Sequence, residues 1–319
     1  MDKIQKFLYD DLVELDKVIR QDLGSNILLI RQISEYIIAG GGKRIRPILC
    51  LLCGRIAGYK TGNLLHKMSA MIEYIHTATL LHDDIVDESG LRRGRETANA
   101  VFGNAASVLV GDFIYTRAFQ MMVQASSLRL LKVMADSTNK ISEGEVLQLL
   151  NIGKSDLTEA EYFEVIQHKT ATLFEASARV AAIVANATPE IENALSDYAI
   201  NLGNAFQVVD DILDYTGSRD AMGKNVGDDL LEGKVTLPLI YLLKQSQNSE
   251  LIKDAIENPK QADIKKVIQL INNSEALVYC KQIAGNFASK AKAALAIFPD
   301  SEYKNAMLNL AHISISRII

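Results

Sequence analysis

The chain has 319 residues, 48% of them hydrophobic and 23% charged, and a formal net charge of −5. That is enough apolar material for a sizeable core, and a negative chain has no general attraction for nucleic acid. Three cysteines cannot build a disulfide framework, so a reducing compartment, the cytoplasm, is expected. The opening MDKIQKFLYDDLVELDK is charged and shows no apolar leader. The longest stretch free of Asp, Glu, Lys and Arg is Thr97–Gly111, 15 residues, too short to predict a transmembrane segment.

The pattern is helical almost throughout. Only five prolines occur, and none lies in the 141 residues from Ile48 to Thr188. Runs of alternating β-branched residues are hard to find. The first break is the triplet Gly40–Gly42, followed by Lys43, Arg44 and Arg46, with Pro47 suited to the first turn of a helix. Cys50 and Cys53 share an apolar helix with no second pair, which marks them as buried small hydrophobes rather than metal ligands. After a break at Gly58–Gly62, Leu64, Met68, Met71, Ile72 and Ile75 form a stripe of helical period that runs into Asp83, Asp84 and Asp87. Ser89–Gly94 is the next break. A helix with few charges follows around Val101–Gln124, with Phe113, Phe119, Met122 and Val123 on helical spacings. Further breaks fall at Gly153–Ser155, Thr188–Pro189, Gly217–Gly233 and near Pro259. No Pro/Gly/Ser-rich linker divides the chain, so residues 1–319 are expected to form one all-α domain of about ten or more helices.

Two acidic clusters pose the central physical problem. Asp83-Asp84-x-x-Asp87 and Asp210-Asp211-x-x-Asp214 repeat the pattern D-D-x-x-D-x-x-G at a separation of 127 residues. On a helix, residues i and i+4 share a face, so Asp83 and Asp87 project together, as do Asp210 and Asp214. Asp84 and Asp211 are rotated by about 100°. The glycine three residues later predicts that each helix is about to end, and carboxylates there meet the negative end of the helix dipole. A solvated acidic face is the ordinary reading of one such cluster. Here both follow mostly apolar helices, IEYIHTATLLH and INLGNAFQVV, so something positive is required beside them. Mg²⁺, which takes oxygen ligands from one or two carboxylates plus substrate phosphates, meets the requirement. Two facing clusters would then suit a diphosphate. Basic residues stand close by: Gly40–Gly42 leads into Lys43 and Arg46, and Arg92 and Arg93 follow the first cluster. Each pair alone reads as solvated charge; beside a metal–diphosphate site it reads as an anion contact.

GGKRIRP, LLHDDIVDESGLRRG, the His168-Lys169-Thr170 stretch, FQVVDDILDYTG and GKNVGDDLLEGKVTLPLI, in this order, resemble the trans-prenyl diphosphate synthase (polyprenyl synthetase) family, most of all its long-chain bacterial members. The resemblance implies a single-domain helical bundle of the isoprenoid synthase type around a central substrate cavity. It implies Mg²⁺-dependent head-to-tail condensation of isopentenyl diphosphate onto an allylic diphosphate such as farnesyl diphosphate, with about three Mg²⁺ per site. By the same resemblance Lys43, Arg46, His76 and Arg93 hold isopentenyl diphosphate, while Arg92, Lys224 and Lys234 contact the allylic diphosphate. Asp83, Asp84, Asp87, Asp210, Asp211 and Asp214 belong to the metal set. Lys169, Thr170 and Gln207 line the allylic substrate near its reacting carbon. A homodimer through helices of the N-terminal half is implied too, with 101–124 as the contact surface. The glycine-interrupted Gly217–Gly233 is expected to close as a lid.

Product length follows from side-chain volume. The growing chain must run back along the helix that carries Asp83, where Ala78 and Thr79 are small and leave room. A helix of about 20 residues spans about 30 Å, a tunnel-scale length; the family resemblance, with the small residues at 78 and 79, implies a product of about eight isoprene units, destined for a quinone side chain. Tyr74, or Phe119, Met121 and Met122 on a neighbouring helix, are candidates for the floor; each is also an ordinary core residue. Two rival classes remain. A class I terpene cyclase would usually lack the second full acidic cluster and the bases Lys43 and Arg46, and a non-catalytic subunit of a synthase would have lost site charges that this chain keeps.

Overall fold

The computed structural model of the protein describes residues 1–217, 226–245 and 249–317. Helices dominate, as the pattern predicts. In chain order they begin with α1 (Asp2–Phe7), α2 (Tyr9–Asp22), α3 (Leu28–Ala39), α4 (Ile45–Ile56) and α5 (Leu64–Val86). Next come α6 (Ala98–Phe102), α7 (Asn104–Gln124), α8 (Leu128–Leu150) and α9 (Glu159–Ile166), then a π-helical turn at Gln167–Ala171 that leads directly into α10 (Thr172–Val184). α11 (Pro189–Thr216) is followed by α12 (Asp228–Leu231), α13 (Leu237–Gln245), α14 (Ser249–Glu257), α15 (Ile264–Asn272), α16 (Ala276–Ala294) and α17 (Glu302–Ser316). Among the described residues the only sheet is a two-residue hairpin, β1 (Leu91–Arg92) with β2 (Arg95–Glu96), which helical periodicity did not predict.

Local chemistry fixes the helix starts. Thr158 and Glu161 form a reciprocal capping box on α9. Thr188 caps α11, and Pro189 occupies its first turn, where a missing N–H costs nothing. Ser127 and Ser301 cap α8 and α17 in the same manner. The hairpin has a different cause. Its two central residues, Arg93 (φ 55°) and Gly94 (φ 75°), both have left-handed backbones, the geometry whose twist suits a two-residue hairpin turn.

α5 packs against α2, α4 and α7, and α10 lies between α4, α8 and α11. Six consecutive residues of α4, Ile48–Cys53, are fully buried, so this helix is apolar all round and both of its cysteines are core, as the sequence suggested. Burial pushes the Cys50 thiol up to about 12. The apolar side chains form two clusters. The larger holds α4, α5, α7 and α10; the smaller gathers α13 to α16. α11 belongs to both: Leu195, Tyr198, Ala199 and Leu202 lie in the first, while Val208, Val209, Ile212 and Tyr215 lie in the second.

One part-buried ion cluster ties the N-terminal helices to this core. Asp11 of α2 receives Arg55 of α4, whose Nε is 3.3 Å away, and His66 of α5, whose Nε2 is 2.8 Å away. Burial would raise the Asp11 carboxyl, but the hydrogen bonds from His66 and Arg55 outweigh it and hold the group at about 2, against 3.8 ordinarily. Because the folded value is the lower one, the contribution is complete above pH of about 4 and is lost as pH falls towards 2; it amounts to about 2 kcal/mol. Thermal unfolding of Asp11→Asn is therefore expected to lie well below wild type at pH 7 and to converge on it between pH 4 and 2. A gap that stays constant over that range would contradict this account.

Candidate active site

The C-terminal end of α5 and the second half of α11 face each other across a cavity of about 620 Å³. Asp83 and Asp87 line it from one side, and Asp210, Asp211 and Asp214 from the other. The helix ends fall where the glycines predicted: α5 stops at Val86 with Asp87 as its cap residue, and α11 stops at Thr216. The expected i,i+4 pairing of Asp83 and Asp87 on one face holds. Asp84, rotated away, lies on the wall of a smaller cavity behind α5, where it is 1% exposed and meets Arg92 at 2.6 Å.

The cations reach the cavity by distinct routes. The turn Arg93-Gly94 splits two sequential arginines: Arg92 returns to Asp84, and Arg93 donates to the carbonyl of Gly41. Arg44 starts α4 in a left-handed conformation (φ 47°) and turns its guanidinium to Asp16 of α2. All three clustered cations line the cavity, and Lys43 and Arg46 do so without an acid held at contact distance among the described residues. Arg46 stacks over Phe174, 4.7 Å from the ring centroid, and its NH1 donates to Nε2 of His76 at 3.2 Å. Arginine cannot accept, so His76 presents a neutral nitrogen, and burial together with Arg46 pushes its pKa well below the ordinary value. Burial lowers Arg46 to about 10, which leaves it charged at neutral pH.

The acids are strained by enclosure in the opposite sense. Burial raises Asp83, opposed by Lys169, and raises Asp210, opposed by Arg317, Lys43 and Arg46. Burial, with Asp229 nearby, pushes Asp211 up to about 8. Each cluster is met by a resident cation. Lys234 Nζ sits 2.9 Å from Asp87 and 2.7 Å from Glu232. Burial would lower Lys234, but Asp87, Glu232 and Asp229 raise it further. Arg317 NH1 sits 2.8 Å from Asp210.

Lys169 and Thr170 stand on the π turn. Thr170 Oγ1 donates to Gln207 Oε1 at 2.9 Å, and Gln207 Nε2 donates to Asp211 at 2.8 Å. Tyr162 donates to the other Asp211 oxygen at 2.6 Å. Two mid-helix glycines explain how the turn fits. A Cβ at Gly144 of α8 would lie 2.6 Å from the Lys169 amide nitrogen, and one at Gly203 of α11 would lie 2.7 Å from Ala171 Cα. Backbone stands where a side chain would go, so the turn is held between two positions that tolerate none.

Fifteen of the residues expected at the site line this one cavity: Lys43, Arg46, His76, Thr79, Asp83, Asp87, Arg92, Arg93, Lys169, Thr170, Gln207, Asp210, Asp211, Asp214 and Lys234. Four others do not. Asp84 and Tyr74 line the smaller cavity, where the Tyr74 hydroxyl donates to the Ile19 carbonyl at 2.7 Å, and Ala78 is fully buried. Lys224 lies outside the described residues, as do residues 218–225 of the expected lid. Met121 and Met122 are buried in α7, Phe119 is part-exposed on it, and none of the three lines the large cavity. Sequence reasoning missed Glu73, Glu145, Gln148, Tyr162, Asp229 and Arg317 on the wall. The spacing of Glu145 and Gln148 on a helix with an interior glycine was the available signal; Arg317 offered none.

The polyprenyl synthetase family model matches residues 28–272, and the chain belongs to that family; it is a prenyltransferase. It is 49% identical over 320 residues to the octaprenyl diphosphate synthase of Escherichia coli (strain K12), covering 99% of each chain. It is 44% identical to the all-trans-nonaprenyl-diphosphate synthase (geranyl-diphosphate specific) of Rhodobacter capsulatus, over 97% of this chain and 95% of the relative. A solved polyprenyl synthase from Caulobacter crescentus CB15, complexed with calcium and isoprenyl diphosphate, superposes with a TM-score of 0.95 at 41% identity, covering 100% of this chain and 98% of that one.

The clash at Gly144 gives a direct test of the π turn. Gly144→Ala should retain helical circular dichroism yet lower kcat by roughly 10- to 100-fold, because the displaced backbone carries Lys169 and Thr170. A normal kcat would show that the turn's position is not critical.

Proposed function

We propose that the chain is a long-chain all-trans polyprenyl diphosphate synthase of the octaprenyl type, using isopentenyl diphosphate and an allylic diphosphate such as farnesyl diphosphate. The observation that carries this reading is the pair of aspartate clusters opposed across one cavity with basic side chains between them. No ion site made of three or more His, Cys, Asp or Glu side chains is preassembled among the described residues. The donors nevertheless fit Mg²⁺: they are hard carboxylate oxygens, and Asp83 and Asp210 are raised by burial. Asp83, Asp87 and Asp210 would hold the ions, with Asp84, Asp211 and Asp214 supporting them. When bound, about three Mg²⁺ would neutralise the departing diphosphate.

The side chains supply the rest. Lys43, Arg46 and Arg93 bind the diphosphate of isopentenyl diphosphate, with neutral His76 orienting Arg46. Arg92, Lys224 and Lys234 bind the allylic diphosphate, Lys234 leaving Asp87 and Glu232 for the substrate, and Lys169 lines the allylic substrate near its reacting carbon. The C–O bond ionises, and the allylic carbocation forms beside the oxygens of Thr170 and Gln207, whose lone pairs face positive charge in a water-poor pocket. The double bond of isopentenyl diphosphate attacks C1 of that cation, and the released diphosphate takes the proton lost next.

α11 crosses both apolar clusters, which supports the whole chain acting as one catalytic domain. Leu109, Phe119 and Val123 leave apolar surface exposed on α7, which supports a homodimer through that helix. No helix among the described residues is long and apolar enough to cross a membrane. The free, buried thiols of Cys50, Cys53 and Cys280 suit the cytoplasm. A quinone side chain is the proposed fate of the product.

Incubation with farnesyl diphosphate, labelled isopentenyl diphosphate and Mg²⁺ should yield a diphosphate of about eight isoprene units. A hydrocarbon product would favour a cyclase, and no turnover a non-catalytic subunit. Asp83→Ala and Asp210→Ala should each lower turnover by roughly 100-fold or more. Thr79, whose side chain faces the cavity, is the position to test for length: Thr79→Phe should shift the products to shorter chains on chromatography, and an unchanged distribution would show that α5 does not border the growing chain.

A further inference from the structure

Glu145 and Gln148 lie three residues apart on α8, both on the cavity wall, and converge on one group. The Lys169 ammonium is 2.6 Å from Glu145 Oε2 and 2.5 Å from Gln148 Oε1. The nearest oxygen of Asp83 is 3.9 Å away, outside hydrogen-bond range. The lysine backbone has no freedom to change this, because its amide nitrogen packs against Gly144 of the same helix. Only the flexible side chain can choose between acceptors. Asp87 shows the alternative outcome, since Lys234 touches it directly at 2.9 Å. The two acids of the first cluster therefore differ: one is closed by a lysine, and the other has its lysine drawn aside.

We propose that Glu145 and Gln148 are positioning residues that hold the Lys169 ammonium off Asp83 and so keep that carboxylate open to a divalent cation. The inference rests on the reading of Asp83 as a metal ligand. Without the two acceptors on α8, the ammonium would settle on Asp83 as a contact pair and place an N–H on the oxygen that a metal needs. A direct electrostatic role for Glu145 makes a different forecast, because it would not depend on Lys169.

A double-mutant cycle separates the two. Binding of Mn²⁺ in the presence of inorganic diphosphate, followed by electron paramagnetic resonance, would be compared for wild type, Glu145→Gln, Lys169→Met and the double variant. Glu145→Gln should weaken Mn²⁺ binding by about tenfold when Lys169 is present and have no effect in the Lys169→Met background. Gln148→Leu, which alters no charge, should weaken binding with the same dependence on Lys169. Equal losses in both backgrounds, or no loss in either, would overturn the proposal. A wild-type protein that bound no Mn²⁺ would overturn the metal reading of the aspartates as well, a separate and recognisable failure.

Discussion

Charge kept in an enclosed space is the constraint on which this protein turns. Removing a carboxylate from water costs several kcal/mol unless a cation or hydrogen bonds compensate. The cavity holds many such groups, and the chain answers with partners from far along its length. Lys234 meets Asp87 across 147 residues, and Arg317 meets Asp210 across 107. Arg92 closes on Asp84 from the adjacent hairpin. These pairings make the ligand-free site tolerable. On the proposed reading they are also provisional: a metal ion takes the place of a lysine beside an aspartate, and the lysine passes to the incoming phosphate.

The scaffold explains how opposed charges can be held apart without a sheet or a disulfide. α5 and α11 are long, buried along much of their length, and carry their acids near their C-terminal ends. α11 spans two apolar clusters, so the second acidic cluster sits where these meet. The π turn between α9 and α10 departs from regular helix at the point where Lys169 and Thr170 must enter the cavity.

Much of this was legible in the residues. Two copies of D-D-x-x-D at the ends of apolar helices implied facing carboxylates, and the glycines beyond them marked the helix ends. Cys50 and Cys53 read correctly as core. What stayed hidden depended on long-range contact. Nothing local distinguishes Arg44, paired with Asp16, from Arg46, stacked on Phe174 beside His76. The hairpin was hidden because two-residue strands have no periodicity to detect. The π turn was hidden because its cause lies on two other helices, at Gly144 and Gly203. Ala78 and Thr79 are both small, and only the packing of α5 shows that Thr79 faces the cavity while Ala78 does not.

The placement of Thr79 one turn behind Asp83 on a continuous rod has an evolutionary corollary. The reactive end and the stretch that would measure the product belong to the same helix but to separate turns of it. On the proposed reading, exchange of a neutral residue in the upstream turns would leave every acid and base at its post, so the length of the isoprenoid could drift while the condensation step stayed intact. Relatives named for eight-unit and nine-unit products, at 49% and 44% identity to this chain, are what such uncoupled tuning would leave behind.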